Sequence, residues 1–178
     1  ASIALGTALT LHSCNDNDLN PTLSLQKPTA DAVSTTSDMK AVLNSAYDRM
    51  SHYTYYGRDY IIYGEVRSDN AFANNNSNRF VTVGQMNMIN SDGYASDTWN
   101  RIYMVINSAN VIANLDLNKI TGDTNLKNHY LGEALVVRAL AHFDLLKLYG
   151  QQHVTGKGYM SALGIPYIKN LEYGVAIT

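Results

Sequence analysis

Two groups of residues in this chain have the types and spacing to do chemistry. The first is Leu11-His12-Ser13-Cys14, where the sole cysteine ends an apolar leader and opens the acidic run Asn15-Asp16-Asn17-Asp18-Leu19-Asn20-Pro21. A Leu three places before a cysteine, with a small residue just before it, is the pattern at which signal peptidase releases a bacterial lipoprotein and the thiol takes on lipid. Leu11, Ser13 and Cys14 fit that pattern, and His12 stands where a small residue is usual. A lone cysteine cannot staple a fold internally, and its polar neighbours offer it no core to join. Each acyl methylene buried in a membrane is worth about 0.8 kcal/mol and stable anchoring needs more than one chain, which a triacylated N-terminal cysteine supplies. Ala1 to Leu11 carries no charge and is too short to cross a bilayer, so residues 1–13 read as the remnant of a signal peptide. The mature protein is then expected to be tethered at Cys14 and not to span the membrane.

The second group is polar: Asp69, Asn70 and Arg79 in a stretch without helical period, and Tyr94 just before a helix. A carboxylate, an amide, a guanidinium and a ring suit the paired hydroxyls and apolar face of a sugar, and exposed loops tend to carry function. The competing reading is that Asp69 and Asn70 merely cap and turn the chain, while Arg79 is a solvated loop charge. Thirteen Tyr against three Phe and one Trp is a skewed aromatic usage. Such rings stack on sugars, or else lie half-buried with their hydroxyls wet.

Other chemistries are disfavoured. A net charge of −2 exerts no pull on nucleic acid. His129, His142 and His153 show no metal-ligand spacing, and His142 reads as a hydrogen-bonded packing residue. The segment Gly150 to Gly158 follows a helix and places Gly158 where a phosphate-binding loop needs Ser or Thr. There is no G-x-S-x-G, and no acidic pair in an apolar setting that would serve glycosidic cleavage. The expectation is a binding protein with no cofactor, metal or catalytic residue.

Helices must position these groups. Residues 14–30, with Pro21 and Pro28 among Thr, Ser and Asn, read as a flexible tether, and residues 31–178 as the helical domain. Asp31 or a residue of Ser34-Thr35-Thr36-Ser37 can cap a helix whose Met39, Val42, Leu43, Ala46, Tyr47 and Met50 share a face. Tyr60 to Val66 predicts a short helix ending at Ser68-Asp69-Asn70. Asn70 to Gly93, with its run Asn74-Asn75-Asn76-Ser77-Asn78, predicts irregular chain. Ser96 or Asp97 can cap the next helix, where Trp99, Tyr103, Ile106, Asn110, Ala113 and Leu117 recur at spacings of three and four. Its apolar band is wide enough for packing between two neighbours, and Asn110 inside it is expected to pair its amide with backbone. After Thr121-Gly122-Asp123, a long helix from about Leu126 to Tyr149 shows Leu131, Ala134, Leu135, Arg138, Ala141, His142, Leu145 and Leu148 on one side, with Gly150 as the residue after its cap. The fold class expected is all-α, built of tetratricopeptide-like helical hairpins with long irregular loops.

Gly132-Glu133-Ala134, Arg138-Ala139, Phe143, Leu145 and Tyr149-Gly150 reproduce the pattern G-E-A-x-x-x-R-A-x-x-x-F-x-L-x-x-x-[FY]-G. Trp99, Tyr103, Ile106, Ala109 and Asn110 match W-x-x-x-Y-x-x-I-x-x-[AS]-N, and Gly164-Ile165-Pro166 matches a following G-[IV]-P turn. In these motifs the chain resembles the SusD/RagB family of surface nutrient-binding lipoproteins. The resemblance implies the N-terminal part of a larger SusD-like fold, since family members run to several hundred residues. It also implies a lipid-anchored, surface-exposed outer-membrane protein that captures oligosaccharide or polysaccharide and delivers it to a SusC-like TonB-dependent transporter. The alternative is a structural helical module that docks the transporter, with ligand bound elsewhere or a peptide as ligand. Glu133 and Arg138, on a helix otherwise rich in Ala, Leu and Val, are expected to need polar partners and to be structural.

Overall fold

The computed structural model describes residues 32–74, 76–151 and 164–170. Cys14, the leader, the tether and the alternative cap Asp31 lie outside the described residues, as do His153 and most of the loop after Tyr149. Five α-helices follow in order: α1 Thr36–Met50, α2 Asp59–Arg67, α3 Val81–Gly84, α4 Gly93–Ala113 and α5 Thr124–Tyr149. Among the described residues there is no β-strand, only an isolated parallel bridge between Thr35 and Thr121.

Each main helix starts where an oxygen-bearing side chain meets an orphan N–H group. Thr35 caps α1 in a reciprocal box: its hydroxyl accepts from the Asp38 N–H (3.1 Å), and the Asp38 carboxylate accepts from the Thr35 N–H (2.9 Å). Asp123 caps α5 by accepting from the Leu126 N–H at 2.9 Å. Helix α4 begins earlier than Ser96 or Asp97, because the Asp92 carboxylate accepts from the Tyr94 N–H at 2.9 Å and starts the helix at Gly93. Tyr94 is therefore helical, and α3 interrupts the stretch expected to be irregular throughout. Gly150 is itself the C-cap of α5, at φ −75°, and not a left-handed residue beyond it. Glycine is required there by proximity, since a Cβ would lie 2.6 Å from the Leu146 carbonyl oxygen.

Helix α4 packs against both α1 and α5, and α1 also touches α5, so the wide apolar band of α4 is used on two sides. Ile102, Val105, Ile106 and Ala109 of α4 meet Ala46 of α1 and Val137, Ala141 and Leu145 of α5 in one cluster. A second cluster joins Met39 and Leu43 to Ile112, Ile120 and Ala134 at the other end of the bundle. Ala109, Ala134 and Ala141 are fully buried at these crossings, where small side chains let helices approach closely. Trp99 is half-buried, tilted against Tyr103 and edge-on to Tyr149, with both centroids 5.0 Å away.

The polar residues inside the bundle, and the partly exposed Glu133 at its edge, have partners. Asn110 donates its amide to the carbonyls of Ile168 (3.2 Å) and Asn170 (3.1 Å) and accepts from Arg138 Nη1 (3.1 Å). Glu133 accepts from the Tyr47 hydroxyl at 2.9 Å and meets His129 at 2.6 Å. His142 is 6% exposed; its Nδ1 contacts the Arg138 carbonyl at 2.8 Å, and Nε2 lies 3.2 Å from the Ile168 N–H. A carbonyl can only accept and an N–H can only donate, so the ring is neutral with its proton on Nδ1. Burial pulls its pKa below the ordinary 6.5, against an upward pull from the Arg138 carbonyl. Because the unfolded ring takes up a proton more readily, this stability is complete above pH 6.5 and lost as pH falls below it. Wild type should lose more stability between about pH 7 and pH 5 than His142→Gln, measured by urea denaturation. Parallel pH profiles would assign the acid sensitivity to other groups.

Candidate functional site

A tight turn links α1 to α2 and carries Tyr53, Tyr55 and Tyr56, with Tyr60 following in the first turn of α2. Its backbone folds on itself: Tyr56 N–H donates to the Met50 carbonyl (3.1 Å), Gly57 N–H to His52 (3.0 Å) and Asp59 N–H to Tyr53 (2.9 Å). A Cβ on Gly57 would overlap the Ser51 carbonyl oxygen and lie 2.8 Å from the His52 carbonyl carbon, so only glycine closes this turn.

The turn is anchored from the far end of the sequence by Asp144 of α5, a carboxylate that is 2% exposed. Its Oδ2 accepts from the hydroxyls of Tyr55 and Tyr56 and its Oδ1 from that of Tyr60, all at 2.6 Å. Lys147 Nζ donates to the Tyr60 hydroxyl at 3.2 Å. Burial, reinforced by the hydrogen bond to Asp144, pushes the Tyr56 pKa up to about 12 and those of Tyr55 and Tyr60 higher still. These three rings are therefore packed internally and not free for sugar stacking, but their hydroxyls are bonded to a buried carboxylate where wet ones were expected, and Tyr55 is fully buried.

With Tyr55, Tyr56 and Tyr60 held inward, Tyr53 and Arg58 face outward and wall a cleft of about 410 Å³. Asn78 and Thr82 close it from the loop and α3, and Asp92, Tyr94 and Asp97 from the start of α4. The Arg58 guanidinium lies over the Tyr53 ring at 4.9 Å and the Phe80 ring at 5.5 Å. Its Nε donates to the buried Asp59 carboxylate at 2.6 Å, an interaction that raises the guanidinium pKa further. The guanidinium is thus charged and fixed in place.

Phe80 supports this wall from an unusual backbone position, φ 58°, in the left-handed region that bulky residues avoid. Such a conformation costs on the order of 1–3 kcal/mol and persists only where its surroundings hold it. Here the ring stacks on Tyr94 at 4.5 Å, and the Phe80 N–H donates to the Tyr94 hydroxyl at 3.2 Å. Tyr63 completes the support by donating to the Tyr94 carbonyl at 2.6 Å.

Of the residues expected from sequence, Tyr94 walls the cleft, while Asp69, Asn70 and Arg79 are exposed and do not. Asn70 donates its N–H to Ser68 Oγ at 3.3 Å in the bend after α2, which is the turning role weighed for it. Arg79 directly follows the wall residue Asn78. The sequence reading missed Tyr53, Arg58, Asp92 and Asp97. The signal available for two of them was Gly57-Arg58 inside a tyrosine run, a guanidinium next to an obligatory turn. The cleft offers carboxylates, an amide, a hydroxyl, a guanidinium and aromatic rings at one surface. Among the described residues no group of three or more His, Cys, Asp or Glu could hold a metal, and no helix is long and apolar enough to cross a membrane.

Comparison with known proteins adds a family context. Residues 20–177 match the SusD-like family, described as starch-binding and associating with the outer membrane. The chain is 31% identical over 145 residues to SusD-like protein P2 of Formosa agariphila, a match that covers 80% of this chain and 28% of that protein. It superposes on a crystal structure of a SusD superfamily protein from Bacteroides vulgatus with a TM-score of 0.69 at 29% identity, covering 79% of this chain and 32% of that one. A second crystal structure from the same species gives a TM-score of 0.69 at 28% identity, with 80% and 32% covered. The chain thus spans about a third of the length of these relatives or less.

Proposed function

This chain belongs to the SusD-like family, and on that basis we propose that it is the N-terminal part of a glycan-binding lipoprotein of the outer membrane. The observation that carries this reading is the cleft itself, where Arg58, Asp97 and Asn78 stand beside the rings of Tyr53 and Tyr94. Fixed polar groups next to aromatic faces recognise hydroxyls in pairs while packing the apolar side of a sugar ring. Tyr94 and Arg58 make the principal contacts. Arg79, next to Asn78, together with Asp69 and Asn70 supplies outer contacts of smaller effect. The protein binds and releases its glycan without chemistry and hands it to a SusC-like TonB-dependent transporter.

Anchoring falls to Cys14, acylated after removal of residues 1–13, with residues 14–30 as tether and Asp16 and Asp18 directing export to the cell surface. Metabolic labelling with an alkyne fatty acid should tag wild type and spare Cys14→Ala, which should appear soluble in the periplasm; equal labelling of both would refute acylation at this residue. For the site, calorimetric titration of the full-length protein against a glycan panel should show Arg58→Ala and Tyr94→Ala each weakening binding about ten-fold, or about 1.4 kcal/mol, and Arg79→Ala weakening it less. Wild-type affinity in both principal variants would move the site elsewhere.

A second reading is favoured by one surface. Val136, Leu140 and Phe143 lie on one side of α5 and are 67%, 38% and 57% exposed. A helix face of this kind suits a module that docks the transporter while ligand binds elsewhere. Co-purification with the transporter by a protein that binds no glycan would favour it.

A further inference from the structure

We propose that the cleft is one compartment of a longer groove that takes an uncharged oligosaccharide across two adjoining spaces, with Tyr53 and Asp97 at their junction. This rests on the glycan-binding reading above and goes beyond it in the length and charge of the ligand.

A second cleft of about 350 Å³ is lined by His52, Thr54, Asn100, Arg101 and Met104, and Tyr53 and Asp97 wall both it and the first. The two spaces thus adjoin at a shared ring and carboxylate, and the proposed groove runs past these two side chains. Each reaches the lower part of the range of about 300–1,000 Å³ typical of small-molecule sites. A short sugar fits in one, and a longer chain has to enter the other. The second space repeats the chemistry of the first: Asn100 brings an amide, Arg101 a guanidinium, Asp97 a carboxylate and Met104, 46% exposed, an apolar surface. Tyr53 is 54% exposed at the junction. Its position is fixed by the His52 ring at 4.3 Å and the Arg58 guanidinium at 4.9 Å, and its carbonyl accepts from the Asp59 N–H. It is therefore a platform already in place before any ligand arrives.

Charge selects among oligosaccharides. The two compartments together present Arg58 and Arg101 against Asp59, Asp92 and Asp97. Arg58 is already paired with Asp59, and the Asp92 carboxylate is engaged by the Tyr94 N–H. A uronate or sulfated chain, with a negative charge on successive units, meets more carboxylate than guanidinium along this path. An uncharged chain meets donors and acceptors of both kinds and no repulsion.

The test is calorimetric titration of the full-length protein with two ladders of neutral probes, maltose to maltoheptaose and cellobiose to cellohexaose, and one anionic ladder of oligogalacturonates. Affinity for one neutral ladder should rise about ten-fold once the chain outgrows the first compartment. Arg101→Ala and Asn100→Ala should flatten that rise, whereas Arg58→Ala should weaken binding at every length, with thermal midpoints confirming that the variants fold. A wild type without length dependence, or a rise that survives both second-compartment substitutions, overturns the groove and leaves the first cleft standing if Arg58→Ala still weakens the disaccharide. Preference for oligogalacturonates overturns the charge selection. Binding unaffected by Arg58→Ala and Tyr94→Ala at all lengths, or binding of no ladder at all, overturns the site reading together with the groove.

Discussion

Asp144→Ala should cost about 3 kcal/mol of stability, a large part of the 5–15 kcal/mol typical of a whole domain. The carboxylate is the common acceptor of three phenol protons, and the Tyr55 ring beneath it is fully buried. Removing it strands the Tyr55 hydroxyl with no water to replace the lost partner, at roughly 1–3 kcal/mol for that group alone. Tyr56 and Tyr60 lose their partner too, but solvent can reach them. Asp144→Asn keeps one acceptor oxygen and should cost roughly half as much. Urea denaturation midpoints decide it, and an alanine variant within about 1 kcal/mol of wild type would show that the phenols find water. The same cluster sets an alkaline limit. Phenols whose pKa the fold raises from 10 contribute stability that is whole below pH 10 and lost as pH climbs beyond it.

The second large effect is expected at Gly57. A methyl group there meets backbone atoms of Ser51 and His52, which cannot rotate away as a side-chain tip would. Gly57→Ala should therefore cost about 3 kcal/mol or more, at the upper end of overpacking effects. Because the turn places Tyr53 and Arg58, the glycan binding proposed for the cleft should weaken by more than the stability change alone produces at a temperature where the variant remains folded. Circular dichroism at that temperature, alongside calorimetric titration, separates the two. A variant that binds normally while folded would mean that the turn can reopen without moving the cleft wall.

The bundle was legible in the sequence because its signals are periodic. Trp99, Tyr103, Ile106 and Asn110 recur along one stretch of chain, and a stripe at that spacing has no other way to bury itself. The partners of Asn110 and Arg138 could be foreseen as a need, though not by identity. Asp144 could not be read at all: its three phenols lie 84 to 89 residues upstream, and an Asp three places before Lys147 looks like part of a solvated face. The cleft was half legible for a related reason. Tyr94 sits beside a recognisable helix start, whereas Tyr53 and Arg58 belong to a turn whose shape depends on a distant anchor. Asp69, Asn70 and Arg79 were chosen for composition, and composition does not say which side of an irregular loop faces a cavity.

The segment 164–170 is held in a way that bears on how freely its sequence can drift. Asn110 and Asn114 donate to the carbonyls of Ile168, Lys169 and Asn170, Tyr103 donates to that of Pro166 at 2.8 Å, and His142 receives the Ile168 N–H. All of these bonds go to main chain, so the hydrogen bonds grip the segment without reading its side chains; Ile165 and Ile168 also turn inward, onto the α4–α5 core, and the Tyr167 ring lies against that of His142 at 4.4 Å. A saturation library over these positions should show a banded tolerance. Positions 169 and 170 should accept almost any residue, position 167 should favour rings that can lie against His142, and positions 165 and 168 should accept only apolar residues, with proline excluded at 168 because it would remove the one N–H the histidine holds.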